Sequence, residues 1–375
     1  MKSSFLVFLF IGLAGILLIR EQKNGTFALT DDRLMSAIES ISHSGTQKPL
    51  ITLVQHNEQS ADITGSLQLT DVDIALFLRT VYKFSPRSVG IAGHLGSKDR
   101  NALVTDILNI QTNLHSDIYF GLLFSPTTDR YSPTFAIPPN LKVTGTSPLR
   151  FSGIPLPVDL PQNVTVGFLN VQETIAGRNL ISPLATYHDA PLPSFALAAL
   201  LVSNQKENRK VDATSYLKIR EGADALIESI SLDDLLLEME KFESGRISNK
   251  LETLLSGRMI MLGLDGETER TAILASGKKY SPVHVQALLL ASILGGKSAT
   301  QASPFWNLMI LPLIYLAILF SQKIKGRILF FLLLCLLAAL VSGGLYYFAA
   351  IWLPPIPAFS MAACLFLATF FTRKN

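Results

Sequence analysis

Two patterns of apolar residues divide this chain. From about residue 25 to residue 303, short apolar runs alternate with stretches at helical spacing. From Pro304 onward the chain is almost continuously apolar. In the first region Leu34, Ala37, Ile38 and Ile41 predict a helix over Leu29–Ser42, and PLITLVQH (Pro49–His56) reads as a buried strand. Helical spacing returns over Asp71–Phe84, followed by a strand at Arg87–Ala92, a helix at Asn101–Leu114 and a strand at Ile118–Phe124. Ser125–Pro161 is rich in proline and reads as a long loop or short strands. Asn163–Asn170 is the next strand. A helix then runs from Leu192, with Pro193 and Ser194 at its start. Ser215–Ile219 is a strand, Leu232–Phe242 a helix opened by Ser231, Leu255–Leu264 a segment holding a buried strand, and Val283–Leu294 a helix ended by Gly295–Gly296. Strands alternating with helices argue for an α/β domain, its sheet mixed but largely parallel and flanked by helices.

The second region holds three apolar runs, 304–321, 328–350 and 356–371. A bilayer core needs about 20 apolar helical residues to cross it. The middle run carries no charge, so the expectation is three transmembrane helices. Lys323, Lys325 and Arg327 lie between the first two runs, and Arg373 and Lys374 follow the third; the Leu353–Pro357 turn is uncharged and follows Trp352. Cationic loops stay cytoplasmic. This places the KIKGR loop and the 372–375 tail inside, and the Leu353–Pro357 turn outside. The N-terminal segment 1–24 opens with one lysine, Lys2, followed by an apolar run and then Arg20 and Glu21. It is a signal peptide or an uncleaved anchor, and the absence of a small-residue cleavage motif favours the anchor. Either way residues 25–303 are exported. The expected plan is four membrane helices, both termini cytoplasmic and one large extracytoplasmic domain.

Composition agrees with this plan. Hydrophobic residues make up 49% of the 375 residues, and mean hydropathy is +0.35. The net charge of +3 is gathered largely at the membrane flanks and implies no nucleic-acid partner. The two cysteines, Cys335 and Cys364, both fall in expected membrane helices, so neither suggests a disulfide or a zinc site.

The chemistry-bearing patterns are few. The six histidines have no metal-ligand spacing, and no nucleophile elbow or phosphate loop occurs. Ser203 and Lys206 have the spacing of a nucleophile pair but sit in the polar run SNQKENRK. Asp71 and Asp73 read as a helix N-terminus. We therefore expect no enzyme, no catalytic residue, no metal and no cofactor. Ligands of open α/β sheets bind beyond the carboxyl ends of the strands. The candidate ligand-binding residues on that ground are Asn57, Glu58, His94, Asp265, Glu267 and Arg270, and ordinary solvated loops are the competing reading.

Several elements carry a family resemblance. They are SPRSVGIAG, VGFLN ahead of PLPSFALAAL, and the run from LLSGRMIMLGLDGE to SPVHVQALLLASILGG, with Gly257–Arg258, Met259–Gly263, Thr271, Pro282–Val283 and Ala287. Over about residues 25–371 the chain resembles the CHASE domain family of the second type, an extracytoplasmic sensory module of bacterial membrane receptors. The resemblance implies a multi-pass protein of the bacterial inner membrane, its large domain periplasmic, detecting an envelope or external signal. The chain departs from the family pattern at Ala92, where an Asp is common. It also departs at Glu267, Glu269 and Arg270, and at Gln286, where the family has His and this chain has His284 two positions earlier. These departures put any inherited site in doubt. Family members often continue into a cytoplasmic kinase or cyclase. This sequence stops shortly after its last apolar run, so the expectation is relay through the membrane helices to a separate signalling or membrane protein. The lipid bilayer is the other expected partner, and a homodimer is compatible with the plan. The alternative is a structural or accessory subunit of an envelope complex, with the outer domain as a docking module. An exported hydrolase has little support without a nucleophile constellation.

Overall fold

The computed structural model describes residues 48–57, 69–93, 113–127, 131–155, 164–171, 180–205, 208–213, 217–219, 223–244, 249–266, 272–273, 278–295, 300–301, 324–349 and 351–356, with scattered single positions elsewhere. Its centre is a six-stranded sheet: β1 (Ile51–His56), β2 (Ser88–Ala92), β3 (Ile118–Leu122), β4 (Thr165–Phe168), β5 (Ile227–Ser231) and β6 (Met259–Leu264). The spatial order is β5-β1-β6-β2-β3-β4, and every pairing is parallel. The last strand in sequence thus lies between the first two. An all-parallel sheet is covered on both faces, so its strands are near-continuous apolar runs. That is why ITLV, SVGIA and MIMLGL were legible as buried strands.

The side-chain period of two sends alternate residues of each strand to opposite faces. Ile51, Leu53, Met259 and Met261 join one core with α2 (Phe195–Ser203) and α5 (Pro282–Leu294). Val54, Ile260, Leu262, Val89 and Ile91 join the other with α1 (Asp71–Val81), α3 (Leu232–Glu243) and α4 (Asn249–Leu255). Each of four helices starts where the sequence places a capping side chain. Thr70 and Asp73 form a reciprocal capping box on α1, and Ser194, Ser231 and Ser281 cap α2, α3 and α5. Pro282 occupies the first position of α5, where its missing N–H costs nothing.

Three expectations need correction. Pro193 lies in the strand Ala190–Pro193 and not in α2, which Ser194 caps. Within the Ser215–Ile219 segment only Leu217–Lys218 forms a strand among the described residues. It joins a separate four-stranded sheet ordered Ile351–Trp352, Thr300–Gln301, Leu217–Lys218, Leu180–Ile181. The KIKGR segment is not a loop throughout: the helix α6 (Ile324–Ala349) contains Lys325 and Arg327.

The proline-rich middle contributes Leu141–Thr144 and Arg150–Phe151, and a hairpin of Leu184–Tyr187 with Ala190–Pro193 follows β4. His188 and Asp189 turn that hairpin with φ of 46° and 62°. A two-residue hairpin turn of this hand needs positive φ at both positions, and Asp is among the side chains that tolerate it best. Phe124, Phe151, Phe168 and Tyr187 form an aromatic cluster beneath it.

The expected helices at Leu29–Ser42 and Asn101–Leu114 fall almost wholly outside the described residues, as do segments 1–24 and 304–321 and most of 356–371. Among the described residues no helix is long and apolar enough to cross a membrane. Helix α6 is described as backbone over 26 residues, but the side chains of residues 324–330 lie outside that description.

Candidate functional site

The carboxyl ends of β1 and β6 lie side by side because the two strands pair from Ile51↔Met259 to His56↔Leu264. The chain leaves β6 at Asp265, whose backbone N–H donates to the His56 carbonyl at 3.0 Å. The pairing thus extends one residue beyond the strand and holds the acidic side chain at the sheet edge. Asp265 is only 4% exposed. Its Oδ2 accepts a hydrogen bond from Gln55 Nε2. A buried carboxylate is retained only with polar partners, and the neighbouring strand supplies one. His56, 1% exposed, lies between Gln55 and the half-buried Asn57. An amide and a carboxylate from adjacent strands thus meet at this edge, a pair able to orient a small polar ligand by hydrogen bonding, while His56, the next residue of β1, faces the other side of the sheet.

Of the six residues chosen from the sequence, Asn57 and Asp265 are brought to this edge by the β1–β6 pairing. Glu58, His94, Glu267 and Arg270 lie outside the described residues. Gln55 and His56 were missed, although a polar Gln-His pair closing an otherwise apolar run was a readable sign. The adjacency of β6 to β1 was not readable, since more than 200 residues separate the strands.

A further missed residue sits beyond β3 and β4. Asn170, just after β4, bonds the backbone of Phe124, just after β3, in both directions. Phe124 N–H donates to Asn170 Oδ1 at 2.8 Å, and Asn170 Nδ2 donates to the Phe124 carbonyl at 2.8 Å. This amide stands in for a further pair of sheet hydrogen bonds and ties the two strand exits together.

Of the positions that depart from the pattern the chain resembles, Ala92, Gln286 and His284 are described and have structural contacts, while Glu267, Glu269 and Arg270 lie outside the described residues. Ala92 is buried in the core of the α2–α5 face. Gln286, fully buried in α5, accepts a hydrogen bond from Ala196 N–H in the first turn of α2 at 3.1 Å. His284 lies in the first turn of α5, its ring edge-on to Tyr280 at 4.8 Å.

Electrostatics around the sheet is set mainly by burial. Tyr119 on β3 is wholly buried, and this pushes its phenol far above the ordinary tyrosine value. Tyr82 is raised by burial first and then by the Asp117 carboxylate, to which its hydroxyl donates at 3.2 Å. At the amino edge of the sheet Arg258 pairs with Glu228 at 2.7 Å. Among the described residues no three His, Cys, Asp or Glu side chains come close enough to hold a metal.

Comparison with known proteins gives one match. The model of the CHASE2 domain matches residues 5–337. No curated protein and no solved structure matches the chain.

Proposed function

Because the chain belongs to the CHASE2 domain family, a family of extracytoplasmic sensory domains, we propose that it is a membrane-anchored receptor in which the α/β domain faces the periplasm and relays its state through membrane helices to a separate protein. The family membership carries the sensory part. The anchoring is supported by the three uncharged apolar runs after Pro304 and by the side chains of α6. Leu332, Leu333, Leu336, Leu337 and Leu340 are all about half exposed or more, and Phe348 is 95% exposed. Ala338, Ser342 and Tyr346 on the other side of α6 are buried, so the exposed half of the helix is wholly apolar, which is the pattern of a helix with one side in lipid. The sensed molecule would bind at the carboxyl edge of β1 and β6, where Gln55 and Asp265 meet beside Asn57. That edge suits a small polar ligand rather than an apolar one.

Topology is tested on the full chain with Cys335 and Cys364 replaced by serine. Single cysteines at Asp224, exposed on the outer domain, and at Lys374 are probed with a membrane-impermeant maleimide in intact cells. Reaction of Asp224→Cys and protection of Lys374→Cys until lysis is expected. Extraction of the chain by alkaline carbonate, or reaction of Lys374→Cys in intact cells, would sink the anchored reading. For the relay, a crosslinking pull-down from native membrane is decisive. Recovery of a kinase or cyclase supports it; recovery of envelope-assembly components alone replaces it with the docking-module reading.

A further inference from the structure

The small four-stranded sheet joins two parts of the chain that the membrane plan separates by two helices and leaves on the same outer side. Thr300 and Gln301 follow the outer domain, and Ile351 and Trp352 follow α6. They pair in parallel as Thr300↔Ile351 and Gln301↔Trp352. On its other edge Thr300 pairs with Leu217, and Leu217 with Ile181. Ile181 and Ile219 are buried in the same core as α5, and Leu217 packs against that core. The turn after α6 is therefore an added strand of the outer domain.

The strand is firmly seated. Trp352 is 1% exposed and sets its ring edge-on to Tyr346 of α6, centroids 6.2 Å apart. Ser342 Oγ, also in α6, donates to the Leu353 carbonyl. Burying an aromatic side chain of this size is worth about 3 kcal/mol, so the strand and the last turns of α6 behave as one unit.

Helix α5 links this junction to the candidate site. Its first turn rests on the carboxyl end of β6. A Cβ on Gly263 would lie 2.7 Å from Val283 Cγ1, so the helix approaches the strand as closely as glycine allows. Its far end meets Leu226, just ahead of β5, at the opposite edge of the sheet: Gly295 built with a Cβ would stand 3.4 Å from that leucine. A helix of 13 residues is about 20 Å long. It therefore spans the sheet from the Asp265 edge to the small sheet.

We propose that α5 and the strand pair Thr300–Gln301 with Ile351–Trp352 form the mechanical link by which a change at the β1–β6 edge reaches α6. The link rests on the reading of α6 as a membrane helix. Packed elements move as rigid bodies and small shifts at one end are passed on whole, because close-packed interfaces do not deform continuously. Main-chain hydrogen bonds make the last step independent of side-chain identity at residues 300 and 301.

The test uses the full-length chain in lipid nanodiscs. Trp306→Phe leaves Trp352 as the single tryptophan. Gly263→Ala then wedges α5 away from β6. The expected result is a red shift of Trp352 emission and greater acrylamide quenching, reversed by adding Val283→Ala. If Gly263→Ala does not fold, Val283→Ala alone perturbs the same contact from the other side. Unchanged Trp352 emission in a variant that still melts cooperatively would overturn the link. In parallel, Thr300→Cys with Ile351→Cys, in the chain free of other cysteines, is expected to form a disulfide on mild oxidation. Paired strands stand about 4.8 Å apart, within disulfide reach. Failure to crosslink also overturns the link. Failure of the membrane reading has a separate sign: the chain is released by carbonate while both the tryptophan and the disulfide results stand.

Discussion

Gln286 and Ala196, 90 positions apart, are joined by a hydrogen bond that fastens α5 to the first turn of α2. A helix N-terminus leaves its first N–H groups without partners, and here two are met from outside the helical ladder. Ser194 Oγ takes that of Leu197, and Gln286 Oε1 takes that of Ala196. Every residue of α2 from Phe195 to Val202 is buried, so water cannot substitute. Gln286→Ala is expected to destabilise the outer domain by about 2 kcal/mol, the cost of a stranded buried donor together with a small void. Chemical denaturation would show it as a lowered midpoint at unchanged slope.

Asn170 offers a sharper contrast between two variants. Asn170→Ala removes both bonds to Phe124 and is expected to cost about 2 kcal/mol. Asn170→Asp keeps the acceptor but loses the donor, and it sets a carboxylate against the Phe124 carbonyl. It should be no better than the alanine variant at neutral pH and recover in part under acid, where the carboxyl is protonated. Thermal melts at the two pH values check the order, and equal behaviour of Asp and Asn would refute the two-way bond.

Gly90 tests the packing between β2 and β3. A Cβ there would lie 2.4 Å from Tyr119 Cζ. Gly90→Ala is expected to cost about 3 kcal/mol by overpacking. Shortening the opposing ring by Tyr119→Ala is also costly, but the double variant should lose less than the sum of the two. A coupling of about 1 kcal/mol in that direction is what direct contact predicts, and strict additivity would argue against it.

Tyr119 also carries a pH consequence. Its phenol is buried, and its hydroxyl has no hydrogen-bond partner among the described residues. Burial raises its folded-state value above the ordinary 10.0. The neutral form is therefore favoured by folding. The associated stability is fully present below pH 10.0 and is lost as pH rises beyond it, because the unfolded chain then ionises first. Tyr119→Phe is expected to be more stable by about 1 kcal/mol at neutral pH, since an unsatisfied buried hydroxyl is removed. Its stability should fall less steeply above pH 10.0 than that of the parent chain. Denaturation midpoints across that range decide the matter.

Much of the outer domain could be read in the sequence because the determinants are local. The apolar runs at Ile51–His56, Ser88–Ala92 and Met259–Leu264 are buried on both faces of a parallel sheet, and burial on both faces writes itself as uninterrupted hydrophobicity. Ser194 and Ser231 mark helix starts because a cap acts only on N–H groups two or three residues away. The pattern places Asn57 and Asp265 just past the ends of apolar runs, and they do follow the carboxyl ends of β1 and β6.

What the tertiary structure alone decided is which of these elements touch. Nothing in β6 says that it inserts between β1 and β2, and that insertion is what sets Gln55 against Asp265. Nothing in Gln286 says that it caps a helix 90 residues earlier rather than replacing a lost site histidine. Nothing in IWLPPIP says that its first two residues complete a sheet begun at Leu180. Sequence pattern reports the environment of a residue through its hydropathy, and residues in the same environment look alike. The partner within that environment is chosen by the geometry of the whole chain, to which a window of neighbouring residues is blind.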